Sequence, residues 1–196
     1  MDKKLPKVAY FCMEYGLSKN LPIFSGGLGI LAGDYLKTAK ELELPIVGIG
    51  ILWRKDYTTQ LIGEDGYPYD LYPNHQFPNL IDTNISVKCR VRGTDIYCKV
   101  WKVENYRNAV LYLLDTDLGR PEQDWITQKL YGGADQDRVA QEIILGIGGI
   151  RALRALNLDI DIYHLNEGHA VFAGLELIRE KMEDGFTFEE AWEKTR

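Results

Sequence analysis

The sequence predicts an α/β protein with a Rossmann-like parallel sheet that carries helices on both faces. Two observations support this prediction. Short segments in which nearly every residue is apolar recur along the chain, as is typical of strands buried on both faces of a sheet. Longer segments whose apolar residues repeat at helical spacing lie between them. This alternation favours parallel strands that are joined by helices.

The first strand–helix–strand unit is predicted in residues 7–52. Residues 7–13 and 45–52 are apolar runs and are predicted as strands. Residues 28–42 lie between them and are predicted as a helix, preceded by a loop that carries Pro22. This order of elements is typical of a parallel sheet.

Residues 53–107 differ in composition, because they are rich in Tyr, Thr, Gly and Pro. Residues 84–91 and 95–103 alternate between apolar and polar around Arg92-Gly93-Thr94, which predicts a β-hairpin. We interpret the whole stretch as a β-rich insertion beside the main sheet. Residues 109–114 return to the pattern of a buried strand.

The second half of the chain continues the alternation. Residues 135–156 are predicted as a helix, 159–165 as a strand and 170–182 as another helix. Thr187 and Glu190 have the spacing of a capping box, which predicts the start of a last helix. Glycine inside a helix costs roughly 1 kcal/mol relative to alanine, so close packing is expected at Gly146, Gly148 and Gly149.

Composition and charge exclude several classes of protein. The net charge is −6 and no long basic run occurs, so the footprint of a nucleic-acid-binding protein is missing from the sequence. The three cysteines lack CxxC spacing, which argues against a disulfide framework and a structural zinc site. The N-terminus has no long apolar core of the kind found in signal peptides, and no apolar run of the chain is long enough to cross a bilayer. We therefore expect a cytoplasmic protein without a metal site or a membrane partner.

The most informative motif is a glycine-rich segment that begins at Ser25. Gly26, Gly27 and Gly29 lead directly into the predicted helix. Glycine allows the backbone to approach a ligand closely, and the start of a helix presents unpaired N–H groups and a positive dipole end. These properties predict an anion site, most often for phosphate. The alternative interpretation is a tight turn before a helix.

A dinucleotide-binding fingerprint is formally present but lacks its context. Gly27-x-Gly29-x-x-Ala32 matches the pattern of glycines. However, the glycines lie well downstream of the first strand, and Leu52-Trp53-Arg54 stands where an acidic residue is expected. An NAD-type oxidoreductase is therefore disfavoured.

A second polar cluster follows the predicted strand 159–165. Asn166, Glu167 and His169 lie at the carboxyl edge of the sheet, where open α/β folds bind ligands, and could hydrogen-bond a polyhydroxylated ligand. In the alternative interpretation, Asn166 caps the helix and His164 is a buried core residue. Metal binding by this cluster is only weakly indicated.

Glu14 follows the first strand and is therefore expected at the same edge. A buried carboxylate there could orient a loop or a sugar hydroxyl, or it could be a structural ion-pair partner. Arg138 and Glu142 are one helical turn apart and predict an ion pair on the helix surface. Several aromatic residues could form a carbohydrate platform or the packed face of the insertion: Trp53, Tyr57, Tyr67, Tyr69 and Tyr72.

Several of these segments together resemble one family, the α-glucan phosphorylases that act on glycogen, starch or maltodextrin. The similarity is greatest to the N-terminal part of the short bacterial and archaeal branch. The matching segments span almost the whole chain in the order of the family and comprise residues 8–17, 21–34, 48–54, 130–133, 138–142 and 164–169.

The resemblance implies a two-domain glycosyltransferase B fold, of which residues 1–196 form most of the N-terminal Rossmann-like domain. It implies reversible phosphorolysis, in which the terminal glucose of an α-1,4-glucan moves to inorganic phosphate and gives α-glucose 1-phosphate. The cofactor of the family is pyridoxal 5′-phosphate, on a lysine of the second domain. Because that domain is not part of this sequence, the chain alone is expected to be inactive.

The resemblance also assigns site residues. Gly26, Gly27 and Leu28 match the glycine loop that holds the substrate phosphate. His169 matches a histidine close to the sugar pocket, and Asn166 and Glu167 belong to the same motif, although Glu167-Gly168 replaces the usual Asp-Thr pair. Glu14 matches a glutamate at the edge of the active site. No residue of this chain is assigned a catalytic role.

The resemblance further implies a homo-oligomer without nucleic-acid or membrane partners. The sequence begins almost at the first strand, so control through an N-terminal regulatory segment is not expected. Two alternatives remain. One is a nucleotide-sugar-dependent glycogen or starch synthase, although no lysine precedes Gly26 at the spacing typical of that class. The other is a non-catalytic glucan-binding domain.

Overall fold

A six-stranded sheet forms the centre of the computed structural model, which describes residues 5–55 and 57–196. The expectation of no apolar leader concerns the N-terminus, where residues 1–4 lie outside the described residues. The strands are β1 (Val8–Phe11), β2 (Tyr15–Ser18), β3 (Leu21–Ile23), β4 (Ile46–Ile51), β5 (Thr59–Ile62), β6 (Pro68–Leu71), β7 (Ile81–Val91), β8 (Thr94–Val103), β9 (Leu111–Asp115) and β10 (Ile162–Leu165).

The described residues form six α-helices beside these strands. They are α1 (Gly27–Glu41), α2 (Pro121–Asp124), α3 (Asp135–Ile143), α4 (Gly149–Ala155), α5 (Phe172–Glu183) and α6 (Phe188–Thr195). A π-helical stretch, Ile144–Gly148, makes α3 and α4 one continuous helix, and 3₁₀ turns occupy Trp125–Thr127 and Gly168–Ala170. In the described part of the chain, no helix is long and apolar enough to cross a membrane.

The main sheet has the order β10-β1-β4-β9-β8-β7. The first four strands are parallel, whereas β8 pairs antiparallel with β9 and with β7. The α/β prediction is confirmed, with the difference that the sheet is mixed. Because β1 lies between β10 and β4, the carboxyl ends of these three strands meet at one edge.

The predicted hairpin around Arg92 is confirmed as β7 and β8. Its two-residue turn places Arg92 at φ 50° and Gly93 at φ 78°, a conformation that matches the twist of paired strands. The hairpin extends the main sheet through β9 and does not lie beside it, as the sequence interpretation placed it. Strands β5 and β6 form a separate two-stranded sheet. The treatment of residues 53–107 as one insertion stays a prediction.

Helices cover both faces of the sheet. A Cβ added to Gly48 of β4 would lie 2.8 Å from Cδ1 of Leu36 on α1. The next residue, Ile49, points to the opposite face, where a Cβ on Gly149 of α4 would lie 2.7 Å from its Cγ2. The same added Cβ would approach Phe11 to 2.5 Å. The glycine therefore lets the long helix pack directly on the strands, as its position inside a helix predicts.

The segment before α1 differs from the prediction. Where a loop was expected around Pro22, β2 and β3 form a small antiparallel hairpin. Its side chains Leu17, Leu21 and Ile23 are buried, and the buried hydroxyl of Tyr15 donates to the carbonyl of Tyr10 at 2.6 Å. These short strands are stabilised by burial against the main body, which the local sequence does not reveal.

Candidate active site

The candidate site lies where β1 and β10 end side by side. Cys12, Met13 and Glu14 follow β1, and Asn166 follows β10. The backbone N–H of Asn166 donates to the carbonyl of Phe11 at 2.9 Å, and its side-chain amide donates to Sγ of Cys12 at 3.1 Å. The two strand ends are therefore held together, and polar residues from distant parts of the sequence share one edge.

Glu14 holds the loop before α1 in place at this edge. The residue is only 3% exposed, and its Oε2 accepts hydrogen bonds from the backbone N–H of Ser25 at 2.7 Å and of Gly26 at 3.1 Å. A Cβ added to Gly29 would lie 2.9 Å from the same oxygen, so the carboxylate requires a glycine there. Of the roles considered for Glu14, the geometry supports the orientation of a loop.

Helix α1 begins in this loop without a side-chain cap. Gly26 is its N-cap residue, no acidic residue lies in the first turn, and the first intrahelical bond runs from the N–H of Ile30 to the carbonyl of Gly26. Within the part of the chain that the structure describes, the N–H groups of Gly27, Leu28 and Gly29 have no hydrogen-bond partner. Gly29 is buried, whereas Gly27 is exposed and Leu28 is half-buried, so the N–H groups of Gly27 and Leu28 at the positive end of a 15-residue helix are open to an anion.

Three side chains form a second group at this edge, which we call the edge cluster: Tyr131, Arg138 and His169. The guanidinium of Arg138 lies over the ring of Tyr131, 4.7 Å from its centroid. Nη2 of Arg138 is 3.3 Å from Nε2 of His169, and the rings of Tyr131 and His169 are 5.7 Å apart between centroids. Each member of the cluster thus contacts the other two.

The edge cluster lies near Glu14. The pKa of Tyr131 is raised above its ordinary value, first because its hydroxyl is partly buried and then because Glu14 is close to it. Glu14 thus holds the glycine loop through two backbone donors and is also a neighbour of the cluster member Tyr131.

The unpartnered atoms of this cluster are donors or can be donors. Nε of Arg138 and Nδ1 of His169 are buried and have no hydrogen-bond partner. Buried polar groups are nearly always paired, so such atoms in a folded protein call for an explanation. Together with the open N–H groups of α1, they make the edge suited to a ligand rich in oxygen acceptors.

Comparison with known proteins adds a relationship to this geometry. No family model matches the chain. The maltodextrin phosphorylase of Thermococcus litoralis is 41% identical over 194 residues, which cover 94% of this chain and 23% of that protein. The glycogen phosphorylase of Mycobacterium tuberculosis is 36% identical over 206 residues, with the same coverage. That of Aquifex aeolicus is 34% identical over 199 residues, covering 96% and 29%.

The chain is a homologue of the glycogen and maltodextrin phosphorylases. The resemblance seen in the sequence is thereby confirmed. The chain spans about a quarter of the length of these relatives, given 23% for Thermococcus litoralis. What the complete relatives do is therefore carried to this chain only as a proposal.

In this phosphorylase homologue, the alternative interpretation of the segment after β10 is wrong. Asn166 does not cap the following helix, because its amide is directed to Cys12 and Glu167 stands at the start of the 3₁₀ turn. His164 is exposed and packs its ring against Tyr10, with centroids 4.8 Å apart. It is exposed because β10 is an edge strand of the sheet.

Glu167 has an unusual backbone. Its φ of 61° and ψ of −179° lie in a region that glycine adopts almost exclusively. Such strain costs of order 1–3 kcal/mol and accumulates at ligand sites. The backbone strain therefore accompanies an exposed side chain of Glu167 at the carboxyl edge of the sheet. His169, a member of the edge cluster, is two residues further along the chain.

The aromatic residues of the phosphorylase homologue divide into two groups. Trp53 is fully buried, and its Nε1 donates to the carbonyl of Met13 at 2.8 Å, so it belongs to the core. Tyr57 is half exposed and meets Tyr131 edge-on, with centroids 6.3 Å apart. Tyr67, Tyr69 and Tyr72 are exposed on or beside the β5–β6 hairpin.

Sequence reasoning missed two members of the edge cluster. Arg138 was expected to pair with Glu142, yet among the described residues no ion pair joins them, and Arg138 contacts Tyr131 and His169 instead. Tyr131 carried one available signal, its place before Gly132-Gly133 in a segment shared with the family. Elsewhere in the described chain, no group of three or more His, Cys, Asp or Glu residues is placed to hold a metal ion.

Proposed function

We propose that the protein is an α-1,4-glucan phosphorylase, which transfers the terminal glucose of a glucan to inorganic phosphate and releases α-glucose 1-phosphate. The observation that carries this proposal is the position of Glu14. It holds the uncapped start of α1 through two backbone hydrogen bonds and lies near Tyr131 of the edge cluster, which supports an anion site and a polar pocket that are neighbours. A reaction between phosphate and a sugar needs these two sites next to each other.

The phosphate is assigned to the start of α1. Gly26, Gly27 and Leu28 line it, and the geometry divides their roles. The N–H of Gly26 donates to Glu14, whereas the N–H groups of Gly27 and Leu28 are open. The donors of the phosphate site are therefore Gly27 and Leu28, and Gly26 contributes the turn. A preorganised pair of backbone donors stabilises negative charge in a reaction without rearrangement.

The sugar is assigned to the segment after β10. His169, Asn166 and Glu167 are proposed to hydrogen-bond its hydroxyl groups, with Glu14 beneath them as the residue that orients the loop. Imidazole, amide and carboxylate groups together supply both donors and acceptors, as a hydroxyl group requires. None of these residues is assigned a catalytic role.

Because the open N–H groups are already assigned to the substrate phosphate, the cofactor implied by the family, pyridoxal 5′-phosphate, is not assigned to this edge. Its covalent attachment requires a lysine, and none of the side chains that form the site as described is a lysine. We derive no step of the reaction through it. Because the chain spans 23% of its Thermococcus litoralis relative, we also propose that these 196 residues alone do not complete the reaction.

The proposal is tested with the complete gene product. It is incubated with pyridoxal 5′-phosphate, a maltooligosaccharide and inorganic phosphate, and glucose 1-phosphate is measured. Product that depends on all three supports the proposal. Chain extension from ADP- or UDP-glucose without phosphate would instead identify a synthase. Binding of the oligosaccharide with neither reaction would identify a glucan-binding protein.

A further inference from the structure

Arg138 and His169 make a contact whose chemistry has only one consistent arrangement of protons. A guanidinium carries donors and no acceptor, so Nη2 of Arg138 must donate across the 3.3 Å to Nε2 of His169. Nε2 must therefore hold a lone pair. In a neutral imidazole, the proton is then on Nδ1.

The consequence is a buried donor. Nδ1 of His169 is shielded from solvent and has no hydrogen-bond partner in the described part of the chain, so its N–H donor is unsatisfied. A buried donor without a partner costs about 1–3 kcal/mol. A ligand oxygen that accepts a hydrogen bond from Nδ1–H would offset this loss of stability. In the opposite tautomer, Nδ1 would carry a lone pair, and the ligand would have to supply a hydrogen-bond donor.

We infer that Arg138 is a positioning residue that fixes His169 in the Nδ1–H tautomer, so that His169 offers a hydrogen-bond donor to an acceptor oxygen of the ligand. Arg138 is itself oriented by Tyr131, over whose ring its guanidinium lies at 4.7 Å. Glu14, which holds the glycine loop, lies near the same tyrosine. The residues that hold the loop and those that set the tautomer are therefore neighbours.

The inference deepens the proposed function, because the acceptor oxygen is then a hydroxyl of the transferred sugar. The tautomer itself does not depend on that function. It can be measured in the protein without a substrate, and so the two proposals fail independently.

The direct test is a long-range ¹H–¹⁵N spectrum of the imidazole rings in the ¹⁵N-labelled 196-residue chain, at about pH 8.5, where an ordinary imidazole is neutral. The chain contains three histidines, and His169→Gln identifies the signals of His169. His169 is expected to carry its proton on Nδ1. His164, an exposed histidine of the same edge, is the internal control, since no guanidinium contacts its ring in the described structure.

Two variants remove the donor to Nε2. Arg138→Met and Arg138→Leu both replace the guanidinium with a side chain that has no hydrogen-bond donor. Both are expected to move the proton of His169 toward Nε2, the position favoured by an unpartnered neutral imidazole, and to leave His164 unchanged. Circular dichroism verifies the fold, and the leucine variant still decides if the methionine variant does not fold.

Two results would overturn the inference. One is a proton on Nε2 of His169 in the unchanged protein. The other is a proton that stays on Nδ1 in folded Arg138→Met or Arg138→Leu.

A kinetic experiment on the complete gene product tests the link to the sugar. Arg138→Met and His169→Gln are each expected to lower kcat/KM for phosphorolysis by about tenfold or more, as loss of a hydrogen bond to a buried group does. The double variant is expected to be no worse than the poorer single variant, because both act through one contact. Multiplied losses would show that Arg138 acts separately from His169.

Discussion

Two arginines on one continuous helix stand in opposite surroundings. Arg151 of α4 donates to the buried carboxylate of Glu176 from Nε at 2.7 Å and from Nη2 at 3.2 Å, and to the carbonyl of Lys88 from Nη1. Arg179 donates to the other side of Glu176 through two further bonds. Arg138 of α3 contacts the rings of Tyr131 and His169, and its Nε has no hydrogen-bond partner among the described residues.

The different surroundings of Arg151 and Arg138 distinguish a group that stabilises the fold from a group that is available to a ligand. Around Glu176, the carboxylate and the two arginines form ion pairs and hydrogen bonds with one another. Such pairing allows buried charges to be part of a stable fold. At the carboxyl edge of the sheet, donors are left open and Glu167 holds a strained backbone. Unsatisfied donors and backbone strain lower the stability of a fold, and they are found at sites where a bound ligand supplies the missing interactions.

The comparison of the two arginines predicts its largest effect on the free energy of unfolding, for one substitution at each arginine. Arg151→Met should lower the free energy of unfolding by about 2–3 kcal/mol, because it leaves a buried carboxylate with fewer partners. Arg138→Met should change it by less than about 1 kcal/mol, because it removes a group whose Nε is already unsatisfied. Urea unfolding of both variants at pH 7 measures the difference. Equal losses would remove the distinction between the two regions.

The next effect concerns pH. Burial alone would raise the pKa of Glu176, but hydrogen bonds from Arg179 and Arg151 outweigh it, and the pKa is lowered. The carboxylate therefore stabilises the fold above its unfolded pKa of about 4.3, and this contribution is lost as the pH falls through the lower folded value. Glu176→Gln should cost about 1–2 kcal/mol at pH 7 and progressively less below pH 4.

The control for this experiment is Glu183→Gln, which makes the same change on the same helix at an exposed partner of Arg179. It should cost less than about 0.5 kcal/mol at either pH. If the loss from Glu176→Gln did not shrink in acid, the carboxylate would not be the source of the stability.

The smallest effect is a gain. Glu167→Gly should raise the free energy of unfolding by about 1 kcal/mol, because glycine adopts its backbone conformation without strain. The same variant should lower phosphorolysis by the complete gene product, since the side chain proposed to contact the sugar is lost. Thermal unfolding and the glucose 1-phosphate assay measure the two changes. A loss of stability would show that the conformation is not strained.

Most of the fold was predictable, because buried parallel strands and amphipathic helices have characteristic spacings. The core of each predicted main-sheet strand is found in the structure, and the capping box at Thr187 is confirmed by bonds between its hydroxyl and Glu190. The β2–β3 hairpin was not predictable, because strands of three or four residues give too short a pattern.

The candidate site was predictable only where its residues follow a strand. Asn166 and Glu14 could be placed at one edge because they come directly after β10 and close after β1. Arg138 could not, because its contact with His169 joins residues 31 positions apart on different elements. Helical spacing reveals only neighbours on the same helix, which is why it suggested Glu142. His164 was misplaced for a similar reason, since the sequence does not show which strand lies at an edge.

The central claim is that the open N–H groups at the start of α1 bind phosphate, and one titration tests it most directly. Inorganic phosphate is added to the ¹⁵N-labelled protein while the amide signals of Leu28 and Gly29 are followed. Gly27→Pro removes one donor at the first helical position, where proline fits, and Gly27→Ala is the matched control that keeps the N–H.

A Cβ at this position meets no atom within 4 Å, so Gly27→Ala should fold, and circular dichroism verifies the fold of Gly27→Pro. We expect saturable shifts in the unchanged protein and in Gly27→Ala, and binding at least about tenfold weaker in Gly27→Pro. Equal phosphate binding by Gly27→Pro and Gly27→Ala would contradict the claim.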